Sequence, residues 1–460
     1  RRFLALRLRA RCPRVFLNRY GGRRMVSAII VSASAAAIAL LMIKLSALSI
    51  GVACTMLACP FIVMRPELYF VLFLLTRPIV DVAASRSIAG VLNPAALYTV
   101  LLIIVCGALI TRKQSIRTVL KNRVLMNFNR IFLLFLTACF LSLFNSHHIR
   151  NSIVDFLRLV SVLVAVNYVV VYFKGEKKSV LLLKLILLSS AAPLAMAAYQ
   201  LIFKKGLFDA GYLRVYGTFL HPNVFSQYLV MIFLVIFYLI QSTGLKLYQR
   251  LLLYCFLGVV AAALFKTYTR GAWIGLSAAF LFFLFIRNPL MKKVRYLIIV
   301  MAVMAALLPA VQKRFSDIGV KDQTNLSSWQ WRLQQWSRTV EFVKENPVVG
   351  KGIGVFEITY DIGVHNDYLR VAYETGFVGF LSYAGIMIYL LSVALTKIRT
   401  AKTFAQADRY KLSASLLISF MIMSVSDNLA RSTVILLYFF AVTTHFLADR
   451  GGPEEEPKTR

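Results

Sequence analysis

Between Tyr360 and Phe380 the chain reads YDIGVHNDYLRVAYETGFVGF, where a histidine, an asparagine, an aspartate, an arginine and a glutamate fall within ten residues. An imidazole can exchange a proton near neutral pH, and carboxylate and guanidinium groups can hold or orient charge. The same residues also have a plainer use. On a helix starting near His365, Arg370 and Glu374 stand four apart and can satisfy each other, while Asn366 can cap the first turn. A histidine at a helix start is as a rule structural, so its neighbours must decide.

Three other segments supply that company. YLRVYGTFLHPNVFSQYL brings Arg214, Thr218, His221 and Asn223 to the mouth of a helix that Asn223 is expected to cap and Pro222 to set. KTYTRGAWIGL puts Lys266 and Arg270 at a helix–helix corner, where a snorkelling arginine is the plainer account. SVSDNLARST adds Asp427 and Arg431, four residues apart across a turn. Arginines and histidines outnumber acids in this set. That balance suits an anionic ligand, and the planar arginine fork favours phosphate oxygens.

Other polar groups read more simply. Gly350, Gly352 and Gly354 in GKGIGVF suggest a nucleotide loop, but no strand precedes them and no Lys-Ser/Thr follows, so a tight turn is expected. Arg77 with Asp81, and Asp155 with Arg158, lie within apolar runs at pairing distance along a helix and are expected to orient helices; Lys184 stands in another such run. Five of the six cysteines (Cys54, Cys59, Cys106, Cys139 and Cys255) fall in apolar runs, and Cys12 in the leader, so neither a disulfide framework nor a metal cluster is expected.

The elements that must carry these residues are membrane helices. The chain is 59% hydrophobic and 16% charged, where a soluble domain carries about a quarter charged residues. Apolar stretches near 26–43, 46–64, 67–83, 91–110, 130–145, 152–173, 180–203, 224–240, 251–268, 271–286, 296–311, 376–395, 412–427 and 431–448 are long enough to be spans. The net charge of +34 does not indicate a nucleic-acid partner, because the main basic loops alternate onto one side, as the positive-inside rule requires of the cytoplasmic face. The opposite, outer side receives 146–151, 204–223, 266–271, 312–375 and 426–432. In the long segment, Trp329, Leu333, Trp336, Val340 and Val343 form an apolar stripe predicting a helix that lies on the outer leaflet, packed over the bundle.

The expected organisation is a basic cytoplasmic leader (1–24), transmembrane helices (25–311), an extracytoplasmic loop bearing the polar motif (312–375), C-terminal transmembrane helices (376–448) and a cytoplasmic tail (449–460). Residues 1–24 hold nine arginines and no acid. The Gly-Gly-Arg-Arg before Met25 fits codons resembling a ribosome-binding site, so Met25 is the expected start.

Taken together, RPIVD, GTFLHPNVFSQYL, TRGAW, WRLQQW followed by NPVVGKGIGVF, and HNDYLRVAYETGFVG resemble the O-antigen ligase and polymerase family of bacterial membrane glycosyltransferases. The likeness covers mainly residues 210–395. It implies an all-α polytopic bundle of about 12–14 spans in the bacterial cytoplasmic membrane, with one large extracytoplasmic loop containing an interfacial helix. It also implies transfer of a glycan from an undecaprenyl-diphosphate carrier to an acceptor hydroxyl, on a lipid core or another carrier-bound glycan, without metal or other cofactor. On that chemistry His365 activates the acceptor, Arg270 and Arg332 hold the diphosphate, and Arg214, His221, Asn366 and Asp427 contact or orient the glycan. The rather short outer loop favours a capsule or exopolysaccharide polymerase over a ligase. A lipid-linked-glycan flippase is the alternative; it would line a route across the whole membrane with polar groups.

Overall fold

The computed structural model describes residues 66–80, 94–209, 211–241, 245–286, 328–360 and 363–449. The leader, the expected spans at 26–43, 46–64 and 296–311, Asp81 and the C-terminal tail beyond Asp449 lie outside the described residues. The chain is almost entirely helical: α1 (Pro66–Val80), α2 (Pro94–Ile110), α3 (Lys113–Lys121), α4 (Arg123–Ser142), α5 (Ile149–Tyr172), α6 (Glu176–Ser189), α7 (Ala191–Ile202), α8 (Pro222–Gln241), α9 (Leu247–Lys266), α10 (Arg270–Phe285), α11 (Ser328–Glu345), α12 (Phe356–Tyr360), α13 (Asp367–Thr400), α14 (Phe404–Ser424) and α15 (Thr433–Ala448). One small hairpin interrupts this, β1 (Leu207–Asp209) against β2 (Tyr212–Arg214), antiparallel with Leu207 opposite Arg214.

Among the described residues six helices are long and apolar enough to cross a membrane, counting α6 and α7 together; α1, α10 and α15 are shorter apolar helices. At the centre stands α15, every residue of which is buried, beside the nearly enclosed α8. Around them α4 packs on α13, α2 on α5, and α10 on α14. The outer helices present leucines and aromatics outward, as at Leu133, Phe140, Leu251 and Leu252. An apolar exterior of this kind belongs against lipid.

Several boundaries differ from the sequence expectation. The basic stretch after α2 is the short helix α3, turned 87° from α2, and α4 already begins at Arg123 because Asn122 accepts the Leu125 N–H at 3.1 Å. The run expected at 180–203 breaks at Ser190 into α6 and α7. The span expected from 376 starts instead at Asp367, where the Asn366 side chain caps the helix through the Leu369 N–H at 3.1 Å. Gly376 then kinks α13 with φ of 66° rather than beginning it.

That kink is filled by the glycine turn that follows α11. Phe377 N–H donates to Pro347 O at 2.7 Å, and the carbonyls of Tyr373 and Glu374 accept from Lys351 and Gly352, each at 3.0 Å. A broken helix inside a bilayer must have its freed backbone groups satisfied, and the turn does this. The apolar stripe of α11 divides. Trp336 and Val343 pack with Val355, Phe356, Val364 and Tyr373, whereas Leu333 and Val340 stay exposed and Gln335 and Thr339 are buried instead. Trp336 Nε1 donates to Val364 O at 3.0 Å, tying α11 to the strand of chain that leads into α13.

Candidate functional site

One end of the bundle gathers the last turn of α1, the first turns of α2, α5, α8 and α15, the short α12 and the approach to α13. They enclose a cavity of about 610 Å³. Its wall mixes apolar residues, among them Val100, Val154, Leu157, Phe219 and Val224, with polar ones, among them Arg77, Asp155, Arg158, His221, Glu357, His365, Asp427, Asn428 and Arg431. The segments expected to share one face of the membrane thus meet at one place.

At its centre His365 faces Asp427. His365 has a left-handed backbone (φ 49°), which a non-glycine residue adopts only when its surroundings demand it. The turn is fixed on its far side by Asn366, whose N–H donates to Asn428 Oδ1 at 3.1 Å. His365 Nδ1 lies 3.4 Å from Asp427 Oδ1. The carboxylate also accepts the Asn428 N–H at 2.9 Å and the Gln227 side-chain amide at 2.8 Å. Burial alone would raise the pKa of Asp427, but the bond and charge of His365, the Asn428 N–H and Arg332 hold it below the usual carboxylate range.

With Nδ1 turned to the carboxylate, Nε2 is left for the cavity. A Cβ placed on Gly363 would sit 3.2 Å from Nε2 and 3.7 Å from Glu357 Oε1, so the imidazole and this step in the wall are closely packed. The Trp331 ring stands edge-on to the imidazole, centroids 5.8 Å apart. His221 is set in the opposite tautomer. Its Nδ1 accepts the Asn223 N–H at 3.1 Å, so its proton resides on Nε2. Burial lowers its pKa, Asp427 opposes this, and Arg214 and His365 add to the lowering.

Around the two histidines runs a chain of ion pairs. Arg431 pairs with Glu357, whose other oxygen accepts Asn428 Nδ2 at 2.9 Å. Arg158 pairs with Asp155 at 3.2 Å and donates to the Arg431 carbonyl. The Asp155–Arg158 pairing expected along α5 is therefore present, but it stands in the cavity wall. Arg431, four residues from Asp427, pairs with Glu357 instead.

Of the residues singled out from the sequence, His221, His365 and Asp427 line the cavity together, with Asn366 behind them. Arg332 is half-buried on α11 and acts on Asp427 through its charge, though it lies outside the lining. Arg270 opens α10 beside the same turn: its neighbour Gly271 abuts Ser426, whose Oγ would be 2.5 Å from an added Cβ. Arg214 does not reach the cavity. It is buried, donating to Thr267 O at 2.8 Å, Asp209 Oδ2 at 2.6 Å and Asn223 Oδ1 at 2.8 Å, and it clamps the hairpin to the α9–α10 corner. Asn223 takes these bonds on its own side chain, while His221 meets the Asn223 N–H at the start of α8. Glu357, Asn428 and Arg158 are wall residues that sequence spacing did not single out for the site. Among the described residues no three His, Cys, Asp or Glu side chains gather as a metal-ligand set.

Residues 253–384 match the family model described as O-antigen ligase; this stretch runs from α9 through α11 and the His365 turn into α13. No curated protein matches the chain. The segment of this membrane-embedded all-helical bundle that carries the His365 turn of the polar cavity is thus similar to the O-antigen ligase family.

Proposed function

We propose that this membrane protein transfers a glycan from an undecaprenyl-diphosphate carrier to an acceptor hydroxyl at the outer face of the cytoplasmic membrane. The observation that carries the reading is the His365–Asp427 pair, with imidazole Nε2 open to a cavity whose wall is rich in guanidinium groups. In the proposed step Nε2 takes the proton of the acceptor hydroxyl, and Asp427 stabilises the resulting imidazolium. The hydroxyl oxygen bonds to the anomeric carbon while the bond from that carbon to the diphosphate oxygen breaks, and the bonding pair leaves with the diphosphate. Arg270 and Arg332 are the cations assigned to that developing charge, since bidentate guanidinium contacts match phosphate oxygens. His221, as a neutral Nε2–H donor, is placed to hold a sugar oxygen.

The test supplies purified lipid-linked repeat units to the protein in liposomes, with and without a lipid-core acceptor. A ladder formed without the acceptor identifies a polymerase, and product formed only with it a ligase. Movement of labelled lipid-linked glycan across the bilayer with no new covalent product would overturn the reading in favour of a flippase.

A further inference from the structure

Two turns create the His365–Asp427 contact, one leading into α13 and one joining α14 to α15, and a third residue ties them together. Asp367, next to the cap of α13, is completely buried. An aspartate in the first turn of a helix ordinarily faces water, favoured by the helix dipole. Here both its oxygens accept the Ala430 N–H, at 3.2 and 3.0 Å, and Oδ2 also accepts Ser424 Oγ at 3.1 Å. Arg370 completes the set, donating to Asp367 at 2.9 Å and to Glu374 at 3.0 Å.

None of Asp367, Arg370 and Glu374 lines the cavity. Two carboxylates and one guanidinium held away from water are costly, and Arg370 Nε is buried without a hydrogen-bond partner, so the group is weak evidence for stability by itself. Its bonds run from α13 to residues 424 and 430, which bracket Asp427 on both sides.

We propose that Asp367 is a positioning residue, clamping the 424–430 turn to the first turn of α13 and so setting the His365–Asp427 contact that the proposed reaction uses. The inference rests on the reading given under Proposed function. Asp367→Asn keeps the shape but presents an amide N–H₂ to donors and leaves Arg370 with the Glu374 carboxylate as its partner. Ser424→Ala removes one bond and buries no charge, so it preserves the fold.

The experiment measures kcat and donor KM for purified Asp367→Asn, Ser424→Ala and His365→Ala, per folded molecule judged by thermal unfolding, with the two clamp variants repeated in an Asp427→Asn background. Misplacement on the 1 Å scale is expected to lower kcat of Asp367→Asn by about a hundredfold. Loss of one hydrogen bond is expected to lower kcat of Ser424→Ala by about fivefold. Donor KM should change little in either, and neither substitution should lower kcat further once Asp427 is Asn. Should Asp367→Asn fail to fold, Ser424→Ala decides. Wild-type kcat in Ser424→Ala, or losses that multiply with Asp427→Asn, would overturn the clamp while an inactive His365→Ala leaves the site reading standing. An active His365→Ala would overturn the site reading itself.

Discussion

A hydroxyl becomes a useful nucleophile only when something takes its proton, and in the proposed reaction that base is His365. His365→Ala is expected to reduce product formation by about 10²–10⁴ with protein level unchanged, measured on lipid-linked donor. Arg332→Lys keeps a positive charge near Asp427 but removes the planar fork. If Arg332 grips diphosphate, that swap, like Arg270→Lys, should lower turnover more than apparent donor affinity. Acidity gives a separate check. Native His221 has a lowered pKa, while the unfolded chain protonates near the ordinary value of about 6.5. As pH falls below that value the unfolded state binds the proton first, so stability should decline. Asp427 has the opposite chemistry with a similar outcome: its stabilisation is present above about pH 4 and lost as pH falls towards its lowered native value. Thermal unfolding in detergent should therefore be level near neutrality, fall below about 6.5, and fall again below about 4. His221→Gln should lessen the first decline and leave the second unchanged. The single-residue candidates His221, His365 and Asp427 were legible because polar side chains are rare in so apolar a chain. Their partners were not. Glu357 reaches Asn428 across 71 positions and Asp367 reaches Ala430 across 63, and no helical spacing relates such pairs.

At the scale of elements the glycine turn and the kink in α13 act as one joint. Gly354 has φ of 75°, and an added Cβ would lie 2.0 Å from Asp155 Oδ2; at Gly376, with φ of 66°, it would lie 2.2 Å from Val348 O. Alanine in the left-handed region costs about 1–2 kcal/mol before any clash. Both Gly354→Ala and Gly376→Ala should lower the unfolding temperature, and Gly354→Ala should also lower turnover by displacing the Asp155–Arg158 pair. Gly258→Ala on α9 is the control, because its Cβ meets nothing within 4 Å. The sequence announced a tight turn at Gly350, Gly352 and Gly354 but not what it turned against. A glycine within an apolar run reads equally as a helix start or a kink, and only the Asn366 cap, ten residues earlier, shows that α13 had already begun.

For the whole molecule, span length and composition made an all-helical membrane bundle legible, and alternation of loops made the gathering of polar segments at one end legible as well. What alternation leaves open is which side of the membrane that end faces. Positions near the two ends of the bundle report on it: exposed Lys344 in the last turn of α11, just before the glycine turn that meets α13, and exposed Lys402 between α13 and α14 at the far end. In a background without native cysteines, Lys344→Cys should react with an impermeant maleimide on intact cells and Lys402→Cys only after lysis. The reverse pattern would move the site to the cytoplasm.

The size of the cavity has one more consequence. At about 610 Å³ it falls within the range of about 300–1,000 Å³ typical of small-molecule sites. It can enclose the two reacting ends of a glycan but not a polymer, whose remaining sugars must trail outside. The described residues therefore form no ruler. If the protein polymerises, the cavity formed by the described residues treats a short chain and a long one alike, and any preferred product length has to be set outside that cavity.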